Sequence, residues 1–156
     1  MSNPSFVYTV YIKSTPEKVW SAITNPEFTR QYWRGENISD WKKGSKWQHV
    51  WNDEKRTIKL AGEVLESVPP KHLVLTWPDP SGAAEKSNPS RVTFEIEKVG
   101  GMVRLKVTHS DLKAGSVMEE RISAGWPRVL SSMKSFLETG VPLDTWAGHE
   151  YDCQAT

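Results

Sequence analysis

The 156-residue sequence predicts an α+β domain in which a curved antiparallel sheet is wrapped around one long C-terminal helix, with two short helices after the first strand. Three observations carry this prediction. Apolar residues alternate in several separate segments between residues 6 and 109, which is typical of strands. Two helix-start signals follow the first of these segments, and one long amphipathic stretch closes the domain. A sheet with one apolar face must bury that face, and the last helix is the only long amphipathic element available.

The first strand and the two short helices follow from local signals. Residues 6–12 are rich in β-branched and aromatic side chains. Ser14 with Glu17 three residues later resembles a capping box, which predicts a helix start. Asn25 followed by Pro26 predicts the cap and first position of a second short helix. The two helices are expected to close one end of the sheet.

From residue 44 onward the apolar period changes to two, and this predicts about five further strands. Trp47, His49 and Trp51 share one face of the first of them. The others are predicted at 58–68, 73–77, 92–96 and 103–109, with apolar residues from Ile58 to Val68 alternating along the second. Residues 78–90 predict a long exposed loop, and the two glycines at 100–101 predict a hairpin turn.

The final helix is predicted in two parts. A segment at 118–122 is expected to be interrupted at Gly125-Trp126-Pro127, where proline starts a new helix or kinks the old one. Apolar residues from Trp126 to Leu137 then recur at offsets of three and four. Gly140 predicts the C-terminal cap. We therefore expect a single domain at 1–140 and a tail at 141–156, with Trp146 as its candidate anchor.

Composition excludes several classes of protein. Twenty Lys and Arg residues against 19 Asp and Glu residues give a formal charge of +1, so no strong field attracts nucleic acid or an anionic membrane. The single cysteine, Cys153, cannot form an internal disulfide. The N-terminal residues lack a signal-peptide pattern, and no apolar run approaches the roughly 20 residues that span a bilayer. We expect a cytoplasmic protein with neither a nucleic-acid nor a membrane partner.

Eight short motifs resemble one known family in their order and spacing. They are Thr15-Pro-Glu-Lys-Val-Trp20, Thr24-Asn-Pro-Glu27, Gly44-Ser-Lys-Trp47, the stretches 62–70 and 73–77, Val107-Thr-His109, Gly125-Trp126, and Leu137-Glu-Thr-Gly140. Together they resemble the activator-of-heat-shock-chaperone-ATPase homologue-like (AHSA-type) branch of the START/SRPBCC superfamily, which also holds polyketide cyclases, aromatases and pollen-allergen-like ligand carriers. The resemblance covers about residues 6–140. It implies the helix-grip (START-like) fold, a cavity, and binding of small lipophilic molecules, and it does not by itself imply a reaction.

The predicted site is the lining of a cavity between the sheet and the C-terminal helix. Its residues are Trp33, Trp47, His49, Trp51, Trp77, Phe94, His109, Trp126 and Met133. Two interpretations of the histidines remain open, since each is either a hydrogen-bonded core residue or a polar anchor in an apolar pocket. The eight tryptophans of the chain suit either a cavity wall or a bulky core.

No motif points to a catalytic residue, a metal or a cofactor. The four histidines lack metal-ligand spacing, and the chain has neither a Gly-x-Ser-x-Gly elbow nor a phosphate-binding glycine loop. His72 and His149 are expected to face solvent.

Three functions follow from these observations. We favour binding of a small, largely apolar ligand, lipid-like or aromatic, over catalysis. The first alternative is a cyclase or hydrolase that uses the same cavity with His109 or His49 as acid or base. The second is an interaction module, either a homodimer or a co-chaperone-like partner in a stress response.

Overall fold

A computed structural model describes residues 4–33, 35–78 and 89–145 of the chain. The described part contains seven strands and three helices. In chain order they are β1 (Phe6–Ile12), α1 (Pro16–Thr24), α2 (Pro26–Tyr32), β2 (Gly35–Ser39), β3 (Lys46–Trp51), β4 (Ile58–Val68), β5 (His72–Trp77), β6 (Ser90–Val99), β7 (Met102–Ser110) and α3 (Val117–Thr139).

The seven strands form one antiparallel sheet in the order β1-β7-β6-β5-β4-β3-β2. The sheet is strongly curled into a half-barrel, and α3 is its C-terminal helix, so the predicted helix-grip fold is confirmed. Six strands follow α2, one more than the five that the sequence predicted. The missed strand is β2, which pairs with β3 from Gly35↔Trp51 to Ser39↔Trp47. Its sequence, Gly-Glu-Asn-Ile-Ser, has no apolar alternation, so only its pairing reveals it.

The start of α1 corrects one predicted cap. Thr15, rather than Ser14, is the N-cap, and its hydroxyl accepts a hydrogen bond from the Lys18 N–H at 3.2 Å. Pro16 then occupies the first helical position, where its missing N–H costs no helical hydrogen bond. The predicted cap of α2 is confirmed, because the Asn25 side-chain oxygen accepts from the Glu27 N–H at 2.9 Å.

The end of α1 is fixed by side chains from the segments that follow it. The last three carbonyls of the helix, at 22–24, accept hydrogen bonds from Tyr32 Oη (2.5 Å), Asn37 Nδ2 (2.9 Å) and Trp41 Nε1 (2.9 Å) respectively. Carbonyls at a helix end have no helical donor, so these three contacts satisfy groups that burial would otherwise leave unpaired. They hold α1, α2 and β2 together at one end of the sheet.

Two irregularities in β4 correct the predicted alternation of that strand. The register shifts between His49 and Val50, which leaves Lys59 as an extra residue opposite β3, and it shifts again at residue 65 opposite β5. Each extra residue reverses the face to which the following side chains belong. Ile58 and Val68 are therefore 53% exposed, while residues 60 and 64 between the shifts are buried.

The C-terminal helix is a single element. α3 runs through Pro127 as one helix, so a new helix does not start at 125–127. Ser116 caps its start by accepting from the Glu119 N–H at 3.0 Å. Gly140 caps its end as predicted, with φ of 84°, and its N–H donates to the Phe136 carbonyl at 2.8 Å.

The chain after α3 lies back along that helix as far as residue 145. Three hydroxyls bridge the two segments, from Ser135 to the Val141 carbonyl (2.7 Å), from Ser132 to the Leu143 carbonyl (2.9 Å), and from Thr145 to the carbonyl of residue 128 (3.0 Å). The division into a domain at 1–140 and a tail at 141–156 remains a prediction. Most of the predicted loop at 78–90, and the residues Trp146, His149 and Cys153, lie outside the described residues.

No helix in the described ranges has the length and apolarity needed to cross a bilayer.

Candidate functional site

Eight of the nine predicted cavity residues lie in one buried group between the sheet and α3. They are Trp33, Trp47, His49, Trp77, Phe94, His109, Trp126 and Met133, each at most 3% exposed, and we call them the aromatic cluster. The ring of Trp77 is central, with centroids 5.0 Å from Trp47, 5.3 Å from Trp126, 5.8 Å from His109 and 6.3 Å from Trp33. The Trp33 contact is stacked and the other three are tilted or edge-on, and such distances and angles are typical of favourable aromatic packing. In this part of the sheet–helix space the rings pack on one another.

Gly62 makes room for one of these rings. It is the register partner of Trp47, whose Nε1 reaches across it and donates to the Thr76 carbonyl on β5 at 3.0 Å. A Cβ added at Gly62 would lie 2.5 Å from both Trp47 Nε1 and the Thr76 carbonyl oxygen. A side chain at this position is therefore incompatible with the observed indole, which explains a glycine in the middle of a strand.

A chain of three hydrogen bonds crosses the cluster through His109. Trp126 Nε1 donates to His109 Nδ1 at 3.1 Å, and His109 Nε2 lies 2.7 Å from Ser90 Oγ. The Ser90 hydroxyl in turn donates to the Trp77 carbonyl at 2.6 Å. An indole nitrogen can only donate, so Nδ1 must carry the lone pair and Nε2 the proton. Every polar atom of this buried chain has a partner.

This tautomer decides what the Ser90–His109 pair can do chemically. A histidine that activates a serine must accept the hydroxyl proton on the nitrogen that faces it. Here that nitrogen is Nε2, which already carries a proton, and the Ser90 proton points to the Trp77 carbonyl. The pair therefore has the composition of a nucleophile and its base but the opposite proton arrangement.

The second buried histidine, His49, joins the sheet to the first helix. His49 Nδ1 lies 2.7 Å from Asn37 Oδ1, and Asn37 Nδ2 donates to the Ile23 carbonyl at 2.9 Å. The amide oxygen can only accept, so His49 carries its proton on Nδ1, the reverse of His109. Its ring also packs on Trp33, with centroids 5.3 Å apart.

Burial keeps both histidines neutral. It lowers the pKa of His109 to about 3, and burial together with the nearby positive charge of Lys59 lowers the pKa of His49 to about 3. A charged imidazole would have to give up water without gaining an acidic partner. Both therefore behave as hydrogen-bonded core residues, which is the first of the two interpretations left open by the sequence.

The ninth predicted residue, Trp51, lies apart from the cluster in an open cleft. The cleft has a volume of about 550 Å³ and lies between the C-terminal end of α2, the end of β3, the middle of α3 and the segment after α3. Its lining comprises Arg30, Gln31, Tyr32, Trp51, Asn52, Asp53, Ser132, Pro142, Leu143 and Asp144. Apart from Trp51, sequence reasoning did not select these residues. They come from four distant segments and carry no common motif.

The cleft has an apolar interior and a polar rim. The Tyr32 hydroxyl donates to the Ala22 carbonyl, and burial raises the pKa of this phenol. Tyr32 therefore contributes only its ring to the lining of the cleft. Tyr32 stacks on Trp33 of the aromatic cluster at 6.1 Å, which joins the cleft wall to the cluster behind it. On the rim, Asn52 Nδ2 donates to the Arg30 carbonyl at 3.0 Å.

Trp51 differs from the tryptophans of the cluster in its polar contacts. Its Nε1 is buried and has no hydrogen-bond partner. The ammonium of Lys59, the extra residue of β4, lies 5.3 Å from its ring centroid, a cation–π distance. Trp51 is only half-buried, and no hydrogen bond of its indole fixes its position.

In the part of the chain that the structure describes, no group of three or more His, Cys, Asp or Glu side chains is placed so that it could hold a metal ion. His72, predicted to face solvent, is partly exposed and lies 3.0 Å from Glu66 through Nε2 and Oε1.

Comparison with solved structures shows the same fold in distant proteins. The Aha1 dimer from Colwellia psychrerythraea is 21% identical with a TM-score of 0.74, over 88% of this chain and 98% of that one. PFC0360w, an HSP90 activator from Plasmodium falciparum, is 24% identical with a TM-score of 0.69, over 85% and 95%. DynU16, from the dynemicin biosynthetic locus, is 21% identical with a TM-score of 0.72, over 88% of this chain and 48% of that one.

A search of curated proteins finds no match. A family model, Activator of Hsp90 ATPase homolog 1-like protein, matches residues 13–138, which is most of the chain. The chain therefore belongs to the family of Activator of Hsp90 ATPase homolog 1-like proteins.

Proposed function

We propose that this protein binds a small, largely apolar ligand in the cleft between the sheet and α3. The observation that carries the proposal is the cleft itself, about 550 Å³ in volume and walled by Tyr32, Trp51, Pro142 and Leu143. Binding sites for small molecules are typically concave, of roughly 300–1,000 Å³, and mostly apolar with a few polar groups. The fold is compatible with this role, since the superfamily resembled includes ligand carriers and polyketide cyclases.

The aromatic cluster has a supporting part in this proposal. Its rings pack on one another, and Tyr32 stacks on Trp33 at 6.1 Å and on Phe136 at 6.2 Å. A cleft wall backed by interlocked rings is preorganised, which lowers the entropy cost of holding a ligand. We therefore assign the ligand contacts to the cleft. The eight cluster residues predicted as cavity lining do not line the cleft, and they support its wall from behind through the contact between Tyr32 and Trp33.

The chemistry of the lining defines the class of ligand. Tyr32 and Trp51 offer ring surfaces, Leu143 offers an aliphatic one, and the rim carries one cation, Arg30, and two carboxylates, Asp53 and Asp144. A rim with more carboxylates than cations does not favour a multiply charged anion. An uncharged aromatic or lipid-like molecule with one or two polar substituents fits this arrangement best.

Binding can be tested by native mass spectrometry and calorimetric titration with a flavonoid, a fatty acid and an aromatic polyketide. We expect saturable one-to-one binding of at least one probe, and at least about a tenfold weaker affinity for Trp51→Leu, since a buried aromatic contact contributes more than 1.4 kcal/mol. Trp20→Leu is the matched control, because Trp20 is a half-buried tryptophan on α1 that does not line the cleft. Equal weakening by the two variants, or no binding of any probe, would overturn the proposal.

The cyclase or hydrolase alternative requires an acid or base that faces the ligand. His49 and His109 both direct their protons to protein acceptors, Asn37 and Ser90. DynU16 comes from a biosynthetic locus, but it is only 21% identical to this chain. The similarity therefore concerns the fold and not the chemistry. Ligand binding therefore has the better support.

An interaction role is the second candidate, and relatives favour it. The similar protein from Colwellia psychrerythraea is described as a dimer, and the one from Plasmodium falciparum as an HSP90 activator. For this chain we propose self-association as the form of that role. A chaperone partner is the alternative, to be tested by co-purification with Hsp90.

A further inference from the structure

The two edges of the sheet differ in how their backbone groups are covered. On β2, α2 lies against the edge, and the Asn37 N–H donates to the Thr29 hydroxyl at 3.0 Å. On β1, at the opposite edge, cover comes from two side chains of α3 and reaches only one end of the strand. An uncovered edge presents a row of donors and acceptors to which another strand can pair.

The cover on β1 is a lysine–glutamate pair. Lys134 Nζ donates to the Tyr11 carbonyl at 2.8 Å, and Glu138 Oε2 accepts from the Lys13 N–H at 2.7 Å. The two side chains also contact each other at 2.6 Å, one helical turn apart on α3. They occupy the places that a neighbouring strand would take, so we call them the edge plug.

The contacts of the edge plug also show which backbone N–H and C=O groups of β1 point away from β7. Successive residues of an antiparallel strand direct their N–H and C=O alternately to either side. The β1–β7 register is regular from Phe6 to Ile12, so if Tyr11 points outward, Val7 and Thr9 do too. Among the described residues no hydrogen bond to the outer side of Val7 or Thr9 occurs.

The uncovered half of β1 is also apolar and uncharged. Residues 6–12 contain no charged side chain, and Val7 is 52% exposed. Natural sheet edges usually carry a charge, a proline or a bulge that prevents pairing. Here the only such protection in the described structure is the edge plug at Tyr11 and Lys13.

We propose that a second copy of this chain pairs with β1 in antiparallel fashion along residues 5–9, with the two Val7 residues facing each other at the two-fold axis. In this register Thr9 pairs with Ser5 of the other copy, so the edge plug stays in place at both ends. A register centred on Thr9 would bring Val7 to Tyr11 and displace Lys134. No charged residue lies in the paired segment, so like charges do not face each other across the axis.

The proposal names the partner and the surface for the interaction role, and it rests on that role rather than on ligand binding. Sedimentation of the full chain over a concentration series, with amide hydrogen exchange of Val7 and Thr9, tests it. We expect concentration-dependent dimers whose Val7 and Thr9 amides become protected as the dimer forms. Val7→Lys should weaken dimerisation at least about tenfold, because it places two positive charges at the axis.

The matched control is Thr108→Lys. Thr108 is the register partner of Val7 on β7. Because β7 is paired with a strand on each side, this charge should leave dimerisation unchanged. A chain that stays monomeric, with rapid exchange at Val7 and Thr9, overturns self-association but leaves the cleft titration unaffected. A dimer that resists Val7→Lys retains the interaction role and overturns this surface.

Cross-linking tests the register independently of stability. In a Cys153→Ser background, Val7→Cys should form a disulfide between copies, because directly paired residues lie about 5.5 Å apart, within disulfide range. Thr9→Cys should not, since the two Thr9 residues would be four positions out of register. The reverse pattern would overturn the Val7-centred pairing.

Discussion

The aromatic cluster and the cleft use the same residue type in opposite ways. In the cluster, Trp47 and Trp126 have their indole N–H groups bonded to Thr76 and His109 and are almost fully buried. In the cleft, Trp51 is half-buried and its N–H has no partner. Trp47 and Trp126 are held by both ring contacts and hydrogen bonds, whereas Trp51 is held mainly by packing and the contact with Lys59.

The difference indicates which tryptophans serve the fold and which are available to a ligand. A buried ring whose polar atom is satisfied cannot turn toward another molecule without breaking a hydrogen bond in a low-dielectric interior. A ring on an open cleft can contact a ligand at much smaller cost. The four predictions below test this contrast. The three substitutions come in order of decreasing expected effect on stability, and the pH dependence follows the first of them.

Among the three substitutions, Trp126→Ala should cause the largest loss of stability. It removes a ring that contacts Trp33, Trp77 and Phe94, and it leaves His109 Nδ1 without its donor. We expect a decrease of about 3–5 kcal/mol in the free energy of unfolding, measured by urea denaturation. A decrease below about 1 kcal/mol would show that the cluster is not the centre of the core.

Acidification should destabilise the protein through His49 and His109. Both have a pKa of about 3 in the folded chain, against an ordinary histidine pKa of 6.5, so between these two pH values the unfolded chain binds more protons. Stability is complete above pH 6.5 and falls as the pH decreases toward 3, by up to about 1.4 kcal/mol per pH unit for each histidine.

Urea midpoints at pH 7, 6 and 5 measure this dependence. The carboxyl groups with lowered pKa, such as Glu36 and Glu138, add their loss only below about 4.5, so the histidines dominate the window above it. His109→Gln should show a shallower dependence than the unmodified chain. A flat profile from pH 7 to 5 would contradict the neutral, buried state of both rings.

Gly62→Ala should have an intermediate effect. The added methyl would lie 2.5 Å from Trp47 Nε1 and would push the indole from its bond to Thr76. We expect a loss of about 1–3 kcal/mol in thermal or urea unfolding. Gly101→Ala is the control, since a Cβ there meets nothing within 4 Å, and it should change stability by no more than about 0.5 kcal/mol. Equal effects at the two glycines would contradict the role given to Gly62.

Trp51→Leu should have the smallest effect on stability and the largest on ligand binding. Its N–H has no partner to lose and its ring is half-buried, so we expect a loss of roughly 1 kcal/mol or less in urea denaturation. A loss comparable to that of Trp126→Ala would remove the contrast between cluster and cleft.

Much of the fold could be predicted because its signals are local. The caps at Asn25 and Gly140 depend on residues within one helical turn, and both are confirmed. Ser14 and Thr15 are adjacent residues with the same capping chemistry, and the sequence pattern does not separate them. β2 was missed because its strand character comes from pairing with β3 and not from its own side chains.

The candidate site was predictable only in part. The sequence predicted nine residues as one inward-facing set, and the structure brings eight of them together and places Trp51 in the cleft. The sequence could not identify Tyr32, Asn52 or Leu143 as cleft residues, because they meet only when α2, the β3–β4 turn and the segment after α3 converge. A cleft lies between elements that are far apart in the chain, and the hydrophobic periodicity within each element does not indicate where such a cleft forms.

The sequence by itself determined the order of the elements other than β2, the inward faces of most strands and the family to which the chain belongs. These follow from side-chain periodicity, capping and motif spacing, which act over a few residues. Tertiary structure alone decided the opposite tautomers of His49 and His109, the two register shifts of β4, and the separation of Trp51 from the other tryptophans. Each of these depends on contacts between residues about ten or more positions apart in the chain, and such contacts are set by packing and by the strong tendency of buried polar groups to form hydrogen bonds.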